Sequence, residues 1–106
     1  MIDWNRINEL KKEIGLDDFD EVIGLFLEEA EDVLANLKQD QPEDKLLEYL
    51  HYLKGSALNI GFNHVAVICT KLEKRLDESN YNHREIETLF EAYNTSKTHF
   101  FKNLNS

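Results

Sequence analysis

The sequence predicts an all-α protein, an antiparallel up-and-down four-helix bundle with a short additional N-terminal helix. Three observations carry that expectation. Only one Pro and four Gly punctuate the 106 residues. The apolar residues recur at three- and four-residue intervals rather than alternately. The segments marked in this way are long and joined by short connections, as in antiparallel bundles.

The first helix is expected from an Asp3 N-cap to about Glu13, ending at Gly15, a good left-handed terminal residue. It would lid the bundle. The second begins at Asp17 or Asp18, where Asp18 and Glu21 have capping-box spacing, and runs to about Gln39. Phe19, Val22, Phe26, Ala30, Val33 and Leu37 mark its buried stripe. Gly24, inside it, suggests close approach of another helix. Pro42 suits the first turn of the third helix, which extends to about Ile60 and is stopped by Gly61. The fourth, from about Asn63 to Ser79, carries Val65, Ile68, Cys69, Leu72 and Leu76 on one side; the β-branched stretch from Val65 to Ile68 would suit a strand, but the stripe continues past it. The fifth starts at an Asn82 cap, with Glu85 three residues on, and runs through Ile86, Leu89, Phe90, Tyr93, Phe100 and Phe101. No repeat, low-complexity tail or long linker divides the chain, so one domain over residues 1–106 is expected.

Composition narrows the function. An apolar content of 42% is enough for a core, while the length leaves no room for a separate nucleotide-binding module. Twenty-one acidic against twelve basic residues give a net charge of −9, which repels nucleic acid and anionic membrane surfaces. Cys69 is the only cysteine; it excludes an intrachain disulfide and reads as a buried thiol in a reducing compartment. The chain opens without a basic, apolar leader and has no stretch of membrane-spanning length. A cytoplasmic monomer is the expectation. The acidic run from Glu28 to Asp32 reads as a solvated helix face.

Chemistry concentrates at His51-Tyr52-Leu53-Lys54-Gly55-Ser56. At about 100° per residue, Lys54 and Gly55 flank His51 on one helical face. Imidazole, with an ordinary pKa of about 6.5, offers a lone pair at neutral pH that can accept a phosphoryl group. Lys54 is a ready partner for the added charge. A helix-interior Gly costs roughly 1 kcal/mol relative to Ala, so Gly55 implies that something approaches the backbone there. Leu46, Tyr49, Leu50, Leu53, Ala57 and Ile60 gather on the far side, the expected core, and His51 therefore faces outward. Leu47 and Leu58 fall within about 40° of His51 by the same geometry. Either they form an apolar docking patch or they fill grooves against neighbouring helices.

Other chemistries lack their parts. His64, His83 and His99 share no ligand spacing. Glu48 and His51 have the Glu-x-x-His spacing of di-iron bundles, but Asn80 and Ser96 stand three before His83 and His99, so no second motif exists and no metal is expected. Ser56 lies well off the His51 direction, and no strained turn presents a nucleophile. A Walker A loop is absent.

The run from His51 to Gly61 resembles the His-x-Leu-Lys-Gly-Ser signature of histidine-containing phosphotransfer (HPt) domains. Leu25-Phe26-Leu27-Glu28-Glu29-Ala30 is similar to the family's second helix, and Cys69-Thr70-Lys71-Leu72-Glu73 to its Cys-x-x-Leu-Glu segment. The resemblance covers nearly the whole chain and is weakest beyond about Asp77. It implies that His51 carries the phosphoryl group, Lys54 supports its charge and Gly55 leaves room for the partner's active site. Glu73 stands where related domains place a Gln or Glu that orients the imidazole through its other nitrogen. Such domains exchange the group with phosphoaspartate of receiver domains, in response regulators or hybrid histidine kinases, and have no ATP-dependent kinase activity of their own. No cofactor is implied, Mg²⁺ being expected on the receiver only. Lys54, Lys71, Lys74 and Arg75 are candidates to complement the receiver's acidic pocket. The alternative is a non-phosphorylated helical adaptor that docks a receiver or kinase; an enzyme, as phosphatase or kinase fragment, ranks behind both.

Overall fold

The computed structural model describes residues 2–104; Met1, Asn105 and Ser106, the ends of the expected 1–106 span, lie outside the described residues. Five helices account for most of it: α1 (Trp4–Ile14), α2 (Leu16–Lys38), α3 (Glu43–Asn59), α4 (Asn63–Asp77) and α5 (Glu85–Asn103). The stretch from Val65 to Ile68 is helical. In this helical bundle α2 packs on α3, α3 on α4 and α4 on α5, with a smaller α2–α5 contact and α1 resting against α2. The interior is lined by Leu27, Leu34 and Leu37 of α2, Leu50 and Leu53 of α3, Val65, Cys69 and Leu72 of α4, and Leu89, Tyr93 and Phe100 of α5.

The helix boundaries follow from local hydrogen bonding. The Asp3 side chain accepts from the Arg6 N–H and caps α1. Gly15, at φ 91°, ends α1 through its N–H to the Lys11 carbonyl, and its own carbonyl accepts from the Phe19 N–H. One glycine therefore closes α1 and opens α2, and α2 begins at Leu16. This displaces the expected Asp18–Glu21 capping box: Asp17 and Asp18 lie in the first turn without a side-chain cap, where their charge still suits the helix dipole. The buried stripe of α2 runs through Phe19, Ile23, Leu27, Ala30, Val33, Leu34 and Leu37; Val22 and Phe26, expected inside, are only half-buried. Gly24 does not mark a close helix approach, since a Cβ there would meet nothing within 4 Å.

Pro42 stands just before α3 rather than within its first turn, and Tyr49 is half-buried. The α3 terminus is a Schellman arrangement: Gly61, at φ 74°, donates to the Leu58 carbonyl and Phe62 to the Ala57 carbonyl. The same arrangement ends α4 two residues before the expected limit. Ser79 takes the left-handed position at φ 55° and donates to Leu76, while Asn80 donates to Arg75. Before α5, the N–H groups of Glu85, Ile86 and Glu87 bond to carbonyls three residues back, and Asn82 Oδ1 accepts from Arg84. This tight lead-in moves the α-helix start from Asn82 to Glu85. Phe100 is fully buried, but Phe101, one step of about 100° further round, is half-exposed and outside the core.

The N-terminal helix covers one end of the bundle. Ile7 and Leu10 are buried, Trp4 stacks on Phe100 with ring centroids 6.0 Å apart, and Arg6 Nε donates to the Asn59 carbonyl at 3.1 Å. It thereby fixes the α3–α4 turn from outside.

Candidate functional site

His51 lies on α3 with its side chain 76% exposed, while Leu50 and Leu53 on either side of it in sequence turn into the core. The α3–α4 packing brings Glu73 beneath the ring. Glu73 Oε2 is 3.9 Å from His51 Nδ1, and its Oε1 is 3.7 Å from Lys54 Nζ. Both separations are ion-pair contacts, longer than hydrogen bonds. Glu73 is only 22% exposed, and its Oε1 is buried without a hydrogen-bond partner among the described residues. The carboxylate is thus held between a ring nitrogen and an ammonium group, answered fully by neither. Gly55 is exposed, and a Cβ built there would meet nothing within 4 Å. No neighbour in the fold requires a glycine at this position, so the opening faces solvent beside the ring.

Leu47 is 37% exposed and Leu58 50%. Helical geometry places them on the His51 side, and no neighbouring helix swallows them. Two further exposed apolar residues, on the neighbouring helices, were not singled out from sequence as docking candidates. Leu25, four residues before Glu29 and so on the same edge of α2, is half-exposed, as is Val67 on α4. Leu25 lies off the buried stripe of α2, and Val67 off that of α4, which is the signal that could have found them.

The acidic run of α2 is more than a solvated face. Glu29 Oε2 accepts from Tyr52 Oη at 2.7 Å, tying α2 to α3 one residue beyond His51. Glu31 Oε2 accepts from Tyr93 and from Lys97, both at 2.7 Å, tying α2 to α5. Of the four candidate cations, only Lys54 contacts the acid beside His51. Arg75 is committed to Glu85 at 2.9 Å, and Lys71 lines a hollow between α4 and α5 with His64 and Arg75. Lys74 makes no ion pair among the described residues.

His83 Nε2 lies 3.3 Å from the Lys38 carbonyl and His99 stands beside Trp4, both away from Glu73. Glu48 pairs with Lys45 at 3.2 Å. Among the described residues, no group of three His, Cys, Asp or Glu is placed to hold a metal, and no helix is long and apolar enough to cross a membrane. Cys69, one turn before Glu73, is fully buried; burial pushes its thiol up to about 12, with the Glu73 charge adding to the effect.

Fold and site together define a helical bundle in which an exposed histidine is backed by a carboxylate and flanked by a lysine and a glycine. Residues 21–96 match the family model of the Hpt domain, a span that includes all four of these positions. The chain belongs to the Hpt domain family. No curated protein and no solved structure matches it significantly. Hpt domains serve histidine phosphotransfer in phosphorelays and interact with the receiver domains of two-component systems.

Proposed function

We propose that this chain is a phosphorelay intermediate: His51 accepts a phosphoryl group from the phosphoaspartate of one receiver domain and passes it to another. The observation that supports this most is the setting of the ring. Nδ1 faces Glu73 while the rest of the imidazole stands in solvent beside Gly55. With its proton on Nδ1, near the carboxylate, the ring presents the Nε2 lone pair to an incoming acyl phosphate.

Phosphoryl transfer depends chiefly on positioning and on neutralising charge. In this reading the four long helices form an antiparallel up-and-down bundle that supplies a rigid rod, and Lys54 meets the phosphoryl oxygens. Leu47 and Leu58 form the apolar part of the docking surface. The aspartate and Mg²⁺ come with the receiver, and the chain itself needs no cofactor and makes no phosphohistidine from ATP. It works as a cytoplasmic monomer. The adaptor alternative keeps the bundle without using the histidine, but leaves the joint placement of Lys54, Gly55 and Glu73 around His51 without a purpose.

The test is to mix the protein with phosphorylated receiver domains from the same genome and follow the label. It should appear on His51 alone, acid-labile and alkali-stable as a phosphoramidate is. Incorporation that persists in His51→Gln, or that maps to His64, His83 or His99, would remove the basis of the proposal.

A further inference from the structure

The carboxylate of Glu73 has contacts on two sides and a hydrogen bond on neither. Oε2 reaches His51 Nδ1 at 3.9 Å and Oε1 reaches Lys54 Nζ at 3.7 Å. Oε1 is buried and otherwise unanswered. An amide at this position could accept a hydrogen bond from Nδ1–H but could not compensate a charge. The charge answers Lys54 in the resting protein, and it serves the ring as well once the ring becomes cationic.

It does so on phosphorylation. Neutral His51, with its proton on Nδ1, attacks phosphorus through the Nε2 lone pair. A P–N bond forms, the P–O bond to the donor carboxylate breaks, and that bond's electron pair leaves with the carboxylate. The ring now carries both the phosphoryl group on Nε2 and the proton on Nδ1, and is an imidazolium. In the onward step the P–N pair returns to Nε2 and a P–O bond forms to the next aspartate. The Nδ1 proton never needs to leave.

We propose that Glu73 is the counter-charge of this phosphorylated ring: it retains the Nδ1 proton through both half-reactions, while Lys54 leaves it for the phosphoryl oxygens. The inference rests on the phosphohistidine reading above. The titratable groups that contacts tie to His51 and its neighbours are Lys45, Glu48, Tyr52 and Lys54 of α3, Glu73 of α4 and Glu29 of α2. Among the described residues Glu73 is the one carboxylate within 4 Å of a ring nitrogen. Glu29 is engaged by Tyr52, and Glu48 by Lys45. Glu73 is thus a positioning residue whose effect depends on its charge. A phosphohistidine kept in the imidazolium form has the better leaving group, so the site holds its cargo ready for transfer rather than for storage.

The test uses the whole chain, labelled with ¹⁵N-histidine and phosphorylated by phosphoramidate, so that no partner domain is required. The Nδ1 resonance of phospho-His51 is followed against pH. In Glu73→Gln, which keeps the shape and the hydrogen-bond acceptor, the titration midpoint should fall by about one pH unit, the scale set by an opposite charge at this range. The phosphoryl lifetime at neutral pH should lengthen severalfold. Lys54→Gln should move the midpoint the opposite way, since it leaves the phosphoryl charge beside the ring unanswered. A midpoint unchanged in Glu73→Gln, or a shift of the same sign in both variants, would overturn the counter-charge role while leaving His51 as phosphoacceptor. Wild-type protein that takes no label on His51 would overturn the phosphohistidine reading itself, and this inference with it.

Discussion

Asp3 and Gly61 meet backbone to backbone: the Asp3 N–H donates to the Gly61 carbonyl at 2.7 Å, and a Cβ at Gly61 would sit 2.7 Å from the Asp3 carbonyl oxygen. Gly61 thus has two tasks. It takes the left-handed conformation that ends α3, and it leaves room for the segment that starts α1. The turn it makes leads from the histidine helix to the helix that carries Glu73.

Gly61→Ala should therefore be costly. The left-handed conformation alone disfavours a Cβ by roughly 1–2 kcal/mol, and the clash with the Asp3 backbone adds to it. Thermal melts should show a clear fall in Tm. A melt equal to wild type would refute both the left-handed conformation at Gly61 and the close approach of Asp3, whereas a fall of only about 1–2 kcal/mol in stability would remove the docking part alone.

Gly55 should behave in the opposite way. Nothing lies within 4 Å of a Cβ built there and its φ needs no glycine, so Gly55→Ala should gain up to about 1 kcal/mol from helix propensity. Bulkier residues should slow transfer by obstructing the receiver. Gly55→Gln with a normal melt and full transfer rates would show that close approach at this position is unnecessary.

The triad of Tyr93, Glu31 and Lys97 should shape stability at both ends of the pH scale. Hydrogen bonds from Lys97 and then Tyr93 hold the Glu31 carboxyl below its ordinary 4.5. Its contribution is present above that value and is lost as pH falls through the lower, folded-state value. Burial first, and Glu31 second, push the Tyr93 phenol upward from its ordinary 10. The neutral phenol favours the folded state up to pH 10, and that advantage is lost as pH rises further. Tyr81, pushed up to about 12 mainly by burial, adds to the same alkaline slope. Melting against pH should accordingly fall more steeply above pH 10 in wild type than in Tyr93→Phe, and Glu31→Gln should flatten the acid limb. Coincident profiles for wild type and both variants would refute the assignment.

Much of this was legible from spacing. His51, Lys54 and Gly55 share a face because helical geometry leaves no other option, and Leu50 and Leu53 had to point away. Boundaries were harder to read where one residue serves two elements. Gly15 was legible as a stop for α1, but its carbonyl also starts α2, which made the Asp18 capping pattern redundant. Ser79 in a left-handed position left no sequence signal, because Gly rather than Ser is the usual occupant. On α2, Val22 and Ile23 are adjacent apolar residues, as are Phe26 and Leu27, and periodicity alone does not say which of each pair is central. The packing against α3 and α5 decides it, and Ile23 and Leu27 take the core. The Glu73 contact depends on the register of α4 against α3; the motif suggested it, and only the packing supplies the distances.

The same register decides what Leu47 and Leu58 do. Leu58 is half-exposed, and Leu47 is 37% exposed, so part of its side chain packs on the bundle. Leu58→Asp should therefore leave stability within about 0.5 kcal/mol of wild type, with Leu47→Asp costing somewhat more. If both belong to the surface that a receiver covers, removing a central apolar contact should weaken receiver binding by about 1–2 kcal/mol, a factor of roughly 5 to 30 in Kd. Leu25→Asp and Val67→Asp extend the test to the neighbouring helices. Weakening by all four would draw the docking surface across α2, α3 and α4 around His51, whereas weakening by Leu47 and Leu58 alone would confine it to α3. A large loss of Tm with receiver affinity intact, measured on the folded fraction, would instead make these leucines part of the packing and move the docking surface toward α2, where Leu25 and the Tyr52–Glu29 contact adjoin the histidine.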